Sequence, residues 1–356
     1  MQDFAYPLED PDATDEEKAT GRRIMDWLLN LVREIEHPEQ LIPFAFALPE
    51  QTTILREPAA ELSQRLATYF LREAEQSNDP VALANAAGWL NNLALRLSDL
   101  GRREEALTTA EEAVRLHRAL AEASPDVFIP YLAGSLNNLA AMLSDLGRRE
   151  AALTAAEEAV RLYRTLAEVR PDAYTPDLAR SLSTLANRLS DLGRREEALT
   201  AAEEAVRLYR ALAEARSDAF IPDLAASLNN LAAMLSALGR REEALTAAEE
   251  AVRLRRALAK TRPDAFIPDL AGSLWVLGDP YGEIEKPDVA IATLAEAIQL
   301  LTPTFVEFPA AVVAIMAGML QSYLSQCAAV SREPDTELLG PALAVFESLT
   351  PKEERG

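Results

Sequence analysis

The sequence predicts an all-α protein: a right-handed superhelical solenoid of helical hairpins with diverged capping helices at its ends. Three observations carry this. The string LGRRE recurs with its glycine at Gly101, Gly147, Gly193 and Gly239, a constant step of 46 residues. Prolines 130, 176, 222 and 268 keep the same step, and residues 147–192 match 193–238 at 34 of 46 positions without a gap. Within each unit the apolar residues follow a helical period. Repetition at such a period is the signature of stacked supersecondary units.

The elements follow in order. Residues 1–80 hold candidate helices at 15–36 and 58–77, read as an N-terminal helical cap. Residues 81–303 are read as five repeats, the fifth degraded. In the fourth, Leu228, Leu231, Ala232, Leu235 and Leu238 line one face of a first helix. Gly239 should end that helix in the left-handed conformation. Glu242 and Glu243 suit the start of the second helix, which runs through Ala244, Ala248, Ala251 and Leu258. The segment RPDAFIPD, 262–269, reads as a loop. Pro263 would stop one helix and Pro268 open the next. The aromatics Phe128, Tyr174, Phe220 and Phe266 are then loop plugs between units. In the fifth copy GDPYGE, 278–283, is read as interrupting the first helix. Residues 304–356 are read as a C-terminal helical cap with one or two helices.

Composition narrows the function. The net charge is −22, and it gathers at the ends: residues 1–80 hold 17 acids against 7 bases, and residues 275–356 hold 12 against 4. Such a surface repels nucleic acid and anionic membranes, so neither is an expected partner. The N-terminal stretch is acidic and lacks the form of a secretory signal. The longest apolar run, 308–320, is shorter than a membrane span. With the single Cys327, a cytoplasmic protein is expected.

Leu228, Leu231, Ala232, Leu235, Gly239, Ala244, Ala248 and Ala251 are spaced as in the tetratricopeptide repeat. The long period and the string LNNLA resemble the long-helix variety of kinesin light chains and of bacterial signalling and scaffold proteins. The resemblance covers about 80–300. It implies a non-enzymatic adaptor or sensor that binds another protein or peptide along a concave wall of first helices. In that family the second asparagine of such a pair often meets peptide backbone. Carried over, this points to Asn92, Asn138 and Asn230. The alternative is that the amides bond across the junction to a neighbouring helix.

The third copy has Ser183 and Thr184 where its sisters carry Asn-Asn, with Arg180, Asn187 and Arg188 around them. Copies three and four differ at 12 positions, six of them in the first helix and none on its buried strip. Specificity is therefore expected in the third unit, with Arg180 or Arg188 pairing a partner carboxylate. The recurring Arg-Arg pairs at the turns could form a basic ridge or could pair with nearby glutamates.

Candidate chemistry is sparse. His117 stands where the sister repeats have Tyr163 and Tyr209, a packing position. No metal-ligand spacing is present, so no metal and no cofactor are expected. A monomer is expected. Two alternative readings stay open: a self-associating scaffold using the 310–320 helix, and an enzyme with a site near 275–287, where Asp279, Tyr281 and Glu283 would stand on a loop.

Overall fold

The computed structural model describes residues 15–47, 55–283 and 286–349. Every regular element among them is helical, and the chain divides into two compact units, 1–192 and 193–356.

In the first unit α1 (Asp15–Glu34), a 3-10 turn (Pro38–Leu41) and α2 (Ile42–Ala47) lead to α3 (Arg56–Ser77). Val32, Leu41, Leu62 and Leu66 join α1 and the turn to α3, with Trp89 of the next helix packed against them. The Arg65 guanidinium donates to the carbonyls of Val32 and Ile35 and so satisfies the exposed end of α1. There follow α4 (Pro80–Asp99), α5 (Arg103–Ala123), α6 (Pro125–Asp145), α7 (Arg149–Val169) and α8 (Pro171–Asp191). Each packs on the next, and α4 meets α6 as α6 meets α8. This is solenoid order. Alanines at the crossings (Ala94, Ala106, Ala140, Ala152) are fully buried and let the helices approach. Leu136 and Leu182 supply apolar area, each contributing on the order of 1.5–3 kcal/mol.

The second unit repeats the scheme with α9 (Arg195–Ala215), α10 (Ser217–Ala237), α11 (Arg241–Thr261), α12 (Pro263–Glu283), α13 (Pro287–Glu307), α14 (Pro309–Ala329) and α15 (Thr336–Leu349). The register outlasts the visible motifs: α12 and α14 begin at Pro263 and Pro309, one period apart, as do α11 and α13 at Arg241 and Pro287.

The turn glycines behave as expected. Gly101, Gly147, Gly193 and Gly239 have φ between 71° and 73°. Arg148 N–H bonds back to Leu143 C=O at 2.8 Å, closing the helix end. A Cβ at Gly147 would meet nothing within 4 Å, so only the backbone penalises a side chain there. Gly147→Ala should lower the unfolding free energy by about 1–2 kcal/mol, read by urea titration.

Two expectations are corrected. Residues 262–269 are not a loop. A single residue (Ser124, Arg170, Arg216 or Arg262) separates each second helix from the next first helix. Pro130, Pro176 and Pro222 lie inside the first helices. At the sixth helical position a proline forfeits only one intrahelical bond near the frayed end. The aromatics therefore stand on helix rather than in loops, where they still pack: Phe128 joins the core and Phe266 is buried under the Arg262 guanidinium. The second correction concerns 278–283, which continues α12 to Glu283 without a break. Glu285, which stands where the earlier copies carry the turn glycine, lies outside the described residues.

By length and composition three helical stretches could cross a membrane: α6, α13 and Val312–Ala329 of α14. Here each is packed against its neighbours.

Candidate functional site

Because each hairpin repeats with the same period, equal positions on successive first helices stack into columns. In the first unit these columns form a groove of about 580 Å³ across α4, α6 and α8. Gly88, Gly134 and Arg180 form one column, and Asn92, Asn138 and Thr184 the next. Leu95 and Tyr131 bring apolar surface and are 40% and 59% exposed. The glycines keep the wall low; a Cβ at Gly134 would approach the Tyr163 hydroxyl to 3.3 Å.

The floor is polar yet uncharged. Tyr163 Oη donates to the Pro130 carbonyl at 3.2 Å, and burial, with Asp177 nearby, pushes its pKa up to about 12. His117 Nδ1 lies 2.8 Å from Ser135 Oγ, and its ring stacks on Tyr131 with centroids 5.9 Å apart. Burial lowers its pKa to about 4, so the ring is neutral at pH 7.

The amides divide by position. The first asparagine of a pair bonds across the junction: Asn137 Nδ2 to Ser181 Oγ, and Asn229 Nδ2 to Ser273 Oγ at 2.8 Å. The oxygens Asn137 Oδ1 and Asn229 Oδ1 are buried without a partner. Exchanging the amide's O and N would only move the vacancy to the other atom. The second asparagine faces the groove. Asn138 Nδ2 donates to Asn91 Oδ1 at 3.0 Å, while Asn92 is exposed and makes no hydrogen bond to another described side chain. In the third copy both hydroxyls turn back on their own helix, Ser183 to Ala179 and Thr184 to Arg180, each at 3.2 Å.

Of the residues singled out in the sequence, Asn92, Asn138, Arg180 and Thr184 meet in this groove. Asn187 and Arg188 do not line it. Arg188 is largely buried and lies 3.5 Å from Asp191. Asn230 is half-buried on α10 in the second unit. Sequence reasoning missed Tyr131, Leu95 and the floor. A signal existed at 131, where the sister repeats carry Asp177, Asp223 and Asp269. That exchange leaves the groove lining without a carboxylate; Arg180, paired with Asp177 at the rim, is its one formal charge.

Other candidates resolve into packing. Trp275 Nε1 donates to Ser322 Oγ at 3.0 Å, and Tyr281 Oη to Glu249 at 2.8 Å. Tyr281 sits on helix α12, not on a loop. The turn arginines pair within their own repeats: Arg102 with Glu105, Arg194 with Glu197 and Arg240 with Glu243. Arg148, which has Ala151 in place of that glutamate, reaches Glu104 at 3.7 Å. Among the described residues no three His, Cys, Asp or Glu side chains could hold a metal ion.

Known proteins bear on this arrangement as follows. Residues 86–126, 132–171, 178–217 and 224–263 match the family model described as tetratricopeptide repeat. Each segment spans most of a first helix and the second helix that follows it in the chain. Among solved structures, BtubC (BKLC) from P. vanneervenii is similar at 21% identity and a TM-score of 0.55, over 71% of this chain and 93% of that one. A putative kinesin light chain from Podosopora anserina is similar at 21% identity and a TM-score of 0.47, over 60% of this chain and 94% of that one. No curated protein matches the chain in sequence.

Proposed function

Residues 86–263 are tetratricopeptide repeats, a fold that generally serves to bind proteins or peptides, and from that premise we propose that this chain is a non-enzymatic adaptor gripping an extended polypeptide in the groove of its first unit. The observation that supports this most is the lining itself. Across three successive repeats the groove offers two outward amides, a low glycine wall and one cation, with no carboxylate, in a chain of net charge −22. Asn92 and Asn138 each present a donor and an acceptor to peptide backbone. Leu95 and Tyr131 give apolar contact. Arg180 can exchange Asp177 for a carboxylate of the partner, a charge-assisted bond stronger than a neutral one. In this reading specificity is set in the third repeat by Arg180 and Thr184, and Arg188 has a structural part.

A display library of random decapeptides passed over the purified protein tests this. Retained sequences should be enriched in Asp and Glu. An Asn138→Ala/Arg180→Ala variant should bind them about 10- to 100-fold more weakly, as removal of one amide contact and one ion pair implies. Equal affinity for both proteins, with unchanged circular dichroism, would refute the assignment of the groove.

A further inference from the structure

The helix α14 carries no Asp, Glu, Lys or Arg in 21 residues. Its buried side is ordinary: Met316, Met319, Leu320, Tyr323 and Cys327 pack toward the rest of the unit. Its other side is not. Positions one and two periods earlier, Ala225 and Ala271, and likewise Ala232, are fully buried because following helices cover them. Their equivalents Ala317 and Leu324 are exposed, Leu324 at 42%. The cause is the path of the last helix. Instead of folding back on α14 as a second helix should, α15 packs chiefly on α13, where Phe346 meets Phe305 with centroids 4.9 Å apart.

The result is a half-helix surface of Ala314, Ile315, Ala317, Gln321, Leu324 and Ala328, shaped to receive another helix and bare of charge. We propose that its occupant is α14 of a second copy, giving an isologous dimer. The charge decides for a second copy. In a twofold contact the same patch lies on both sides, so a chain of net charge −22 repels itself wherever that patch carries an excess of acids. An uncharged helix removes that repulsion, whereas a basic partner would be better recruited by acids. The alanines let the two helix axes approach, and Leu324 supplies the apolar anchor.

Sedimentation equilibrium of the full chain in the micromolar range tests this. The wild type should show twice its 38.9 kDa mass. Leu324→Glu should weaken dimerisation by about 100-fold, because it buries an unpaired charge at the contact. Val169→Glu, a change at a residue 76% exposed on α7, should leave it unaltered. A single exposed thiol from Ser325→Cys should cross-link two copies on mild oxidation, a reading that does not depend on how Leu324→Glu folds. A monomeric wild type overturns the proposal, as does a Leu324→Glu dimer of unchanged affinity. A monomer that floats with phosphatidylcholine vesicles overturns it in favour of a lipid surface.

Discussion

Asp269→Ala should destabilise the second unit by about 3–5 kcal/mol, while Arg255→Tyr should cost little or raise stability. The position of Arg255 recurs one period apart as His117, Tyr163, Tyr209 and Arg255, and all four side chains are buried. Only the last is a charge. Arg255 is 7% exposed, its Nη1 is paired with Asp269, and its Nε has no partner. Desolvation lowers its pKa, and Asp269 and Asp223 oppose that shift. Removing the carboxylate would strand a buried guanidinium without its ion-pair partner, leaving the charge of Asp223 to offset its desolvation in part. Replacing the arginine instead installs the residue its sisters already use. The site shape suits a ring, and the exposed half of Asp269 can return to water. Urea denaturation of the three proteins at neutral pH measures both effects. Near-equal losses for the two variants would show the ion pair to be a net stabiliser rather than a tolerated exception.

The same period explains what could be read from the sequence and what could not. The leucine strip and the turn glycines were legible because their causes are local: a helical face must be apolar, and a left-handed residue favours glycine. The start of each first helix was not legible. Pro125 and Pro130 stand five residues apart, and the rule that proline breaks helices assigns the first as a stop and the second as a start. In the structure both lie in one helix, and Ser217 begins α10 without any proline. This moves three more of the differences between copies three and four, at 171, 174 and 175, onto the first helix. The amides were ambiguous for a different reason. Whether Asn137 faces a ligand or a neighbour depends on Ser181, 44 residues away. Ser135, Ser181, Ser227 and Ser273 do keep the period, and Ser181 and Ser273 receive the first amide of the preceding repeat. The groove is legible only where columns are compared across repeats, as the change from aspartate to Tyr131 shows.

The second large effect concerns pH. His117 is 3% exposed, bonded to Ser135 and stacked on Tyr131, and its pKa falls from 6.5 to about 4 through burial. The unfolded chain therefore binds a proton at this site below pH 6.5, and the folded chain does not until about pH 4. Stability rises with pH wherever the unfolded state holds more protons. The contribution of a neutral His117 is thus fully present above pH 6.5. It is lost progressively as pH falls toward 4, by roughly 3 kcal/mol at a shift of this size. Carboxylates titrate across the lower part of the same window, so the wild-type curve alone is not diagnostic. The difference between wild type and His117→Gln isolates the histidine. It should be constant above pH 6.5 and move by about 3 kcal/mol in favour of the variant between pH 6.5 and 4. A difference that stays flat throughout would mean that His117 takes up its proton as readily in the folded groove as in water. The ring would then be reached by solvent, and the floor beneath Asn138 and Tyr131 would be open rather than sealed.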